Sequence, residues 1–204
     1  MVDKIRDRNE AVIRAQELLD SDLVVFDTET TGLDDNAQIV EISAVDKDGK
    51  ILMNTLIRPT VPIEQEAIDT HGITEDLVAE KGLPFHRIVP ALATVFSGNT
   101  VASYNLGYDT RLVRQTVGCF GKTASYIQMK AGIAQTACIM EIYARFWGEW
   151  KPYFQSYTWQ GLDKAVEQCG LSFKGDAHRA LADARAALDV LKYVAVARRR
   201  DNGL

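Results

Sequence analysis

Phe26-Asp27-Thr28-Glu29-Thr30-Thr31-Gly32 places two carboxylates directly after the apolar run at residues 23–26. Such a run is typical of a buried β-strand. Because side chains alternate along a strand, Asp27 and Glu29 are expected on the same side, about 7 Å apart. Two carboxylates there repel each other and are costly to bury unpaired. A divalent cation between them would remove that cost, and hard oxygen ligands suit Mg²⁺ or Mn²⁺.

The acid pair alone leaves two other interpretations open. Asp27 and Glu29 could be solvated residues at the end of a strand. A phosphatase of the haloacid dehalogenase type also places an acid pair after a strand, but its chemistry needs a second aspartate where this chain has Glu29. Other parts of the chain are needed to choose among the three.

The composition is that of a globular chain with a substantial core. The 204 residues are 47% hydrophobic and 25% charged, as is usual for folded domains. The length predicts a single domain over residues 1–204, with an N-terminal helix in 1–20 and a core over about 21–200. The formal net charge of -5 argues against a protein that coats nucleic acid through bulk charge, although it leaves room for a local basic groove.

The cysteines and the N-terminus indicate the compartment. Cys119, Cys138 and Cys169 are odd in number, widely separated and without CxxC spacing, so we expect reduced thiols and neither a disulfide framework nor a zinc site. No apolar run approaches the length of a membrane span, and residues 1–10 are too charged for a signal peptide. A cytoplasmic protein with no membrane partner is therefore expected.

The order of the predicted elements indicates an α/β domain with a mixed sheet. Strands are predicted from residue 23 onward and near 39–45, 51–57, 101–104 and 133–138. Helices are predicted near 4–20, 63–71, from 84 to 96, 107–117, from the fifth strand to 147, 158–168 and 179–199, with loops at 148–157 and 172–178. Ligands of such sheets bind beyond the carboxyl ends of strands, where Asp27 and Glu29 are expected.

Two further segments carry acidic residues. Asp109 falls in the first turn of a predicted helix, where it could serve only to complement the helix dipole. His178 and Asp183 are five residues apart, about 140° around a helix, so they share no helix face. They can converge if His178 lies in the loop before the helix and Asp183 lies within it, and Gly175 permits such a loop. Taken alone, a surface histidine or a helix cap is the simpler interpretation of His178.

The combination of these segments resembles the motifs of the DEDDh exonucleases, the family that includes the DnaQ-like proofreading subunits, ribonuclease T, oligoribonuclease and exonuclease X. The similarity extends over about residues 23–194. His71-Gly72-Ile73-Thr74 resembles a further recurring family element. The three main motifs correspond to residues 26–32, to Ser103-Tyr104-Asn105-Leu106-Gly107-Tyr108-Asp109, and to His178-Arg179-Ala180-Leu181-Ala182-Asp183-Ala184.

Three positions depart from the family pattern. Tyr104 and Tyr108 stand where His and Phe are common, and Gln135 stands where the family often has Asp. None of the three belongs to the metal set, and both tyrosines keep an aromatic ring. These changes are therefore expected to leave activity intact.

The resemblance implies a ribonuclease H-like fold, with a mixed five-stranded sheet flanked by helices on both faces. It also implies 3′–5′ exonuclease activity, with release of nucleoside 5′-monophosphates by a two-metal mechanism. The implied ligands of two Mg²⁺ or Mn²⁺ ions are Asp27, Glu29, Asp109 and Asp183, with Asp27 bridging both ions. His178 is implied as the general base, and an ordinary histidine pKa near 6.5 suits that role.

The implied substrate is the 3′ end of a single-stranded nucleic acid, with DNA favoured over RNA. Backbone groups near Thr28 and Thr30 are expected to contact the terminal nucleotide. Leu33 is either a wedge against its base or a turn residue packed on the core. A group of aromatic residues is interpreted as core and loop packing, with base stacking as the alternative; its members are Trp147, Trp150, Tyr153, Phe154, Tyr157 and Trp159.

Two functional hypotheses follow. The first is an active exonuclease in DNA repair or proofreading, with a polymerase or a second copy of the chain as candidate partners. The second is a catalytically inactive module of the same fold that tethers a polymerase or binds nucleic acid. The presence of all five residues that match the family's catalytic set favours the active enzyme.

Overall fold

A computed structural model describes residues 3–119 and 124–199, apart from the side chain of Ser125. Residues 1–2 and 200–204, which the predicted domain includes, lie outside the described residues. The described chain contains a six-stranded sheet in the order β4-β3-β2-β1-β5-β6. Its strands are β1 Leu23–Thr30, β2 Ile39–Asp46, β3 Ile51–Arg58, β4 Leu83–Pro84, β5 Thr100–Ser103 and β6 Gln135–Cys138.

Helices cover both faces of this sheet, as predicted. They are α1 Lys4–Asp20, α2 Gln65–His71, α3 Glu75–Lys81, α4 Phe85–Phe96, α5 Leu106–Cys119, α6 Ala124–Gly132, α7 Ile139–Trp147, α8 Leu162–Gln168 and α9 Ala180–Val196. One hydrophobic core lies between the sheet and α1, α7, α8 and α9. The other lies between the opposite face and α4, α5 and α6.

Strand β1 separates the two cores, which explains its continuous apolar run. Leu23 and Val25 pack into the core beneath α1 and α9, whereas Val24 and Phe26 pack into the core beneath α4 and α5. Because side chains alternate along a strand, Asp27 and Glu29 continue the row of Leu23 and Val25. The acid pair therefore extends the face that α9 covers.

The strand pairings bring several carboxyl ends to one edge of the sheet. β2 runs antiparallel to β1, whereas β5 and β6 run parallel to it. At the end of β1, Glu29 lies opposite Glu41 and Thr30 lies opposite Ile39, so Val40 is an extra residue on β2. Such a bulge bends the strand locally and is common beside active sites.

The structure corrects several boundaries. The sheet has six strands and not five, because β4 pairs with the end of β3 over two residues, a length too short to show any periodicity. The predicted loop at 148–157 contains a small hairpin, β7 Trp150–Lys151 and β8 Ser156–Tyr157. Helix α8 begins at Leu162, four residues later than predicted, and α6 was not predicted.

The aromatic residues of 147–159 are only partly packed. Trp150 and Tyr157 contact each other across the hairpin, with ring centroids 5.1 Å apart. Tyr153, Phe154 and Trp159 are 90%, 68% and 65% exposed. The interpretation as core packing is therefore wrong for these three, whereas Tyr153 and Phe154 do pack on each other within the loop, with ring centroids 5.1 Å apart.

The remaining sequence features concern cysteines and membranes. Cys119 is exposed, Cys138 is half-buried and Cys169 is buried, and all three are free thiols. Within residues 3–119 and 124–199, no helix combines the length and the apolar character needed to cross a membrane.

Candidate active site

Three predicted ligands meet at the carboxyl end of β1. Asp27 and Glu29 come from the strand, and Asp183 comes from the first turn of α9, which packs over the same face. One carboxylate oxygen from each residue lies within 4.8 Å of the other two. Asp183 is more than 150 residues from the acid pair in the sequence, and the packing of α9 on β1 brings the three residues together.

The fourth predicted ligand, Asp109, lies beside this group and is not part of the 4.8 Å cluster. It is 3% exposed in the first turn of α5. The hydroxyl of Thr28 donates to its Oδ1 over 2.6 Å. Since Thr28 lies between the two acids on β1, this bond fixes the Asp109 carboxylate next to the cluster.

All four carboxylates have raised pKa values, and burial is the first cause in each. Burial raises the pKa of Asp27 well above its ordinary value, and the charges of Asp109 and Glu29 raise it further. Burial and the charge of Asp183 raise the pKa of Glu29 to about 8. Burial likewise raises the pKa of Asp109 and that of Asp183 to about 6. Like charges held together in this way favour either protonation or an added cation.

His178 occupies the loop before α9, as the sequence predicted. Its backbone has a φ of 58°, in the left-handed region. Its N–H donates to Oδ1 of Asp183 over 3.2 Å. Burial raises the pKa of the Asp183 carboxyl, and this hydrogen bond offsets part of the rise. The two residues therefore converge although they share no helix face.

A fifth carboxylate, Glu41, lies next to the cluster and is paired with Arg179. Glu41 is 3% exposed on β2 and stands directly opposite Glu29. Its two oxygens accept hydrogen bonds from Nε and Nη2 of Arg179, at 3.0 and 2.5 Å. Its Oε2 also accepts the N–H of Ala180 over 3.0 Å. Arg179 thus joins the loop that carries His178 to the centre of the sheet.

A cleft of about 250 Å³ opens beside Glu29. It is lined by all three residues predicted to bind substrate, Thr28, Thr30 and Leu33. Leu33 is 74% exposed, so it is not packed on the core and the alternative interpretation of this residue is wrong. The remaining lining residues are Glu29, Gly32, Glu64, Glu66, Ala67, Thr70, His71 and Tyr108.

His71 holds one wall of the cleft in a defined tautomer. The backbone N–H of Ile73 donates to Nδ1 of His71 over 3.0 Å, so that nitrogen is an acceptor. Nε2 therefore carries the hydrogen and donates to the carbonyl oxygen of Thr30, also over 3.0 Å. Burial lowers the pKa of His71, which keeps the ring neutral.

Sequence reasoning missed the roles of Glu41, Arg179 and His71 in building this site. Glu41 stands within an apolar strand, an unusual place for a charge, and this was the available signal. Arg179 and His71 lie inside motifs that resemble those of the family, but nothing in the sequence indicated which groups they contact. Only the strand register and the packing of α9 reveal them.

The donor set fits a divalent cation. The cluster of Asp27, Glu29 and Asp183 offers hard carboxylate oxygens close enough to share an ion, as Mg²⁺ and Mn²⁺ prefer. Burial and neighbouring acids raise the pKa values of all three carboxyls, and a bound cation would favour their charged forms. By contrast, Glu41 is already paired and offers no free oxygen of this kind.

A mixed sheet with helices on both faces and a carboxylate cluster at the end of its central strand defines a nuclease of the ribonuclease H-like class. The sequence model of the RNase T exonuclease family matches residues 24–191. The chain therefore belongs to the RNase T exonuclease family, and it is a DnaQ-like exonuclease, a hydrolase of a family that depends on divalent metals.

Individual relatives agree with this assignment. The uncharacterized exonuclease CP81 of Escherichia phage 186 is 40% identical over 182 residues, which are 89% of this chain and 92% of that protein. A PolC-type DNA polymerase III of Clostridium perfringens is 27% identical over 183 residues, which are 87% of this chain but 11% of the polymerase.

Solved structures share the fold. Exonuclease X in complex with 5′ overhanging duplex DNA has a TM-score of 0.55 at 27% identity, over 82% of this chain and 89% of that one. Exonuclease I has a TM-score of 0.69 at 17% identity, over 85% of this chain and 40% of that one. The second likeness is one of fold alone.

Proposed function

We propose that this protein is a 3′–5′ exonuclease that removes nucleotides from single-stranded DNA ends and releases nucleoside 5′-monophosphates. The observation that carries the proposal is the cluster of Asp27, Glu29 and Asp183, whose oxygens lie within 4.8 Å of one another beside an open cleft. The family membership supplies the exonuclease class, and the cluster supplies a place for the metal-dependent chemistry.

Four carboxylates hold the metal in this proposal: Asp27, Glu29 and Asp183 from the cluster, and Asp109 next to it. Two Mg²⁺ or Mn²⁺ ions bound there supply a water activated for attack and shield the charge that develops on the phosphate. Thr28 keeps the Asp109 carboxylate in place through its 2.6 Å hydrogen bond.

His178 accepts the proton of the attacking water. The residue is half-buried in the loop before α9, so its ring can exchange protons with solvent. Its hydrogen bond to Asp183 keeps it at the edge of the cluster. Histidine is the side chain that most often serves in this step.

The cleft beside Glu29 receives the terminal nucleotide. Thr28, Thr30 and Leu33 line it, with the apolar Leu33 side chain exposed for contact with a base. A net charge of -5 gives little grip on the phosphates of a long duplex, whose binding relies on many basic contacts. A short strand end held by few contacts suits this surface better.

The relatives favour DNA as the substrate and a polymerase as a candidate partner. Exonuclease X was solved with DNA at 27% identity, and the PolC-type polymerase contains a segment similar to most of this chain. An inactive tethering module is the second candidate function. The presence of Asp27, Glu29, Asp109, His178 and Asp183 in one place argues against it.

A substrate panel tests the proposal. The protein is incubated with Mg²⁺, Mn²⁺ or EDTA and with 5′-labelled single-stranded DNA, single-stranded RNA, blunt duplex, 5′ overhanging duplex and a labelled circle. We expect a ladder of shortening products that is strongest on linear single-stranded DNA and absent in EDTA. Cleavage of the circle, or immediate release of a labelled mononucleotide, would contradict the 3′–5′ assignment. An inactive module would leave every substrate intact.

A further inference from the structure

We propose that Glu41 and Arg179 are positioning residues, which act on the reaction by fixing the loop that carries His178. This inference rests on the proposed role of His178 as the general base. Glu41 and the half-buried Arg179 form an ion pair between the middle of the sheet and the loop that carries His178. Neither residue is expected to touch the substrate.

The first argument is the geometry of the pair. All three hydrogen bonds accepted by Glu41 come from Arg179 and Ala180, at the junction between the His178 loop and α9. Two of them form a parallel fork, which fixes direction as well as distance. Glu41 lies on β2 opposite Glu29. These hydrogen bonds therefore hold the loop in a fixed position against strands β1 and β2, beside the acid cluster.

The second argument is the backbone of His178. A φ of 58° is unfavourable for a residue with a Cβ atom, so the surrounding structure must hold it. The fork holds the next residue, and the hydrogen bond to Asp183 holds the His178 N–H. If the fork is loosened, His178 is free to return to an ordinary conformation, in which its N–H no longer reaches Asp183.

The third argument concerns the choice of metal ligands. Glu41 lies directly opposite Glu29 in the strand pair. Both of its carboxylate oxygens, however, accept hydrogen bonds from Arg179. Arg179 therefore keeps a fifth carboxylate out of the ligand set. A substitution that keeps the positive charge but not the fork separates this effect from the positioning of His178.

The chain offers a matched control on the same loop. Nζ of Lys174 and Oδ2 of Asp189 form an ion pair of 2.7 Å between the loop and α9, and the Lys174 side chain is 67% exposed. If every contact that holds the loop contributed equally, loss of this pair would matter as much as loss of the fork. An exposed pair of this kind contributes little, so we expect no effect.

The test combines Arg179→Lys, Glu41→Gln and the control Lys174→Met with a double-mutant cycle against His178→Ala. Arg179→Lys keeps the charge and loses the fork, and thermal melts verify that each variant is folded. We expect both substitutions in the pair to lower kcat about 10- to 100-fold, the usual cost of losing an outer support of an active site. KM for a short oligonucleotide and the calorimetric affinity of Arg179→Lys for Mn²⁺ should change little, and Lys174→Met should match the wild type.

The cycle decides whether Arg179 acts through His178. In the His178→Ala background, Arg179→Lys should cause little further loss, because residues that act as a unit are not additive. The same fractional loss in both backgrounds, or an equal loss in Lys174→Met, would overturn the inference while leaving the proposed function intact. Full activity of His178→Ala would overturn the proposed role of His178 as the general base, and with it this inference.

Discussion

Glu29 and Glu41 face each other across the β1–β2 pair, but their surroundings differ in one respect. Glu41 has an internal cation, because Arg179 donates two hydrogen bonds to it. Glu29 has Asp27 and Asp183 as its neighbours in the cluster, and burial together with the charge of Asp183 raises its pKa to about 8. The two facing carboxylates thus have different electrostatic environments.

The difference separates an acid that is paired within the fold from one that lies among other acids. Burial of a charge is tolerated where a partner is supplied, and Glu41 has its partner within the fold. In the cluster, by contrast, a bound metal ion would be the positive partner. Perturbed groups of this kind concentrate at functional sites, so the comparison itself yields tests.

Substitution of the central acid should have the largest effect. Asp27→Ala should abolish nuclease activity, since the carboxylate at the middle of the proposed metal site is lost. Without metal, the variant should be as stable as the wild type or more stable, because one repelling charge is removed. Thermal melts with EDTA and with Mn²⁺ measure this.

The matched control for Asp27→Ala is Glu41→Gln on the neighbouring strand. It should lower the melting temperature in EDTA, because Arg179 loses its ionic partner while remaining half-buried. If Asp27→Ala instead melts well below the wild type in EDTA, the cluster is structural and the contrast drawn between the two strands is wrong.

Loss of the proposed base should have the second largest effect. His178→Ala should slow hydrolysis about 10²- to 10⁴-fold, the range expected for a general base. Its affinity for Mn²⁺ should change little, because His178 is a proton acceptor and not a ligand in this proposal. Calorimetric titration of Mn²⁺ into the variant checks this, and a large loss of affinity would place His178 among the ligands.

The pH dependence of stability should report the raised pKa values of the acid cluster. The pKa of Glu29 is about 8 in the folded, metal-free protein and about 4.3 in an unfolded chain. Between these values the folded state keeps a proton that the unfolded state has lost, so stability falls as pH rises. Asp109 and Asp183, with pKa values of about 6, act in the same direction at lower pH.

Melts in EDTA at pH 5, 6.5 and 8 measure this trend. His71 opposes it below about pH 6.5, because its pKa is lowered by burial and the unfolded state gains a proton there first. Glu29→Gln, which cannot titrate, should therefore flatten the dependence between pH 6.5 and 8. Saturating Mn²⁺ should reverse it, since metal binding requires deprotonated ligands. A Glu29→Gln variant with the wild-type slope would refute the assignment to this carboxylate.

The sequence predicted the strands and the acids better than it predicted their supports. The apolar run before Asp27 predicted β1, and the strands predicted near 39–45 and 51–57 correspond to β2 and β3, because burial is a local signal. The meeting of His178 with Asp183 followed from helix geometry combined with a family resemblance. The structure confirms that they are adjacent, and their chemical roles remain predictions.

What could not be predicted depends on contacts between distant segments. The fork between Arg179 and Glu41 spans 138 residues, and no local pattern reports it. The short strand β4 exists only because β3 offers an edge. The exposure of Tyr153 and Phe154 likewise depends on where the hairpin points, since aromatic composition alone is equally typical of a core.

The smallest expected effect concerns the cleft beside the cluster. Leu33→Ala should raise KM for a short single-stranded DNA about fivefold, because partial loss of apolar contact with the terminal base costs about 1 kcal/mol. The value of kcat should change little, since this contact is made equally in the ground state and the transition state. The melting temperature should match the wild type, because Leu33 is 74% exposed.

The control is Ile127→Ala, at another exposed position, on α6 with 61% exposure. It should alter neither KM nor the melting temperature. An unchanged KM in Leu33→Ala would remove Leu33 from the substrate site and move the terminal nucleotide to another wall of the cleft. A large loss of stability would return Leu33 to the core.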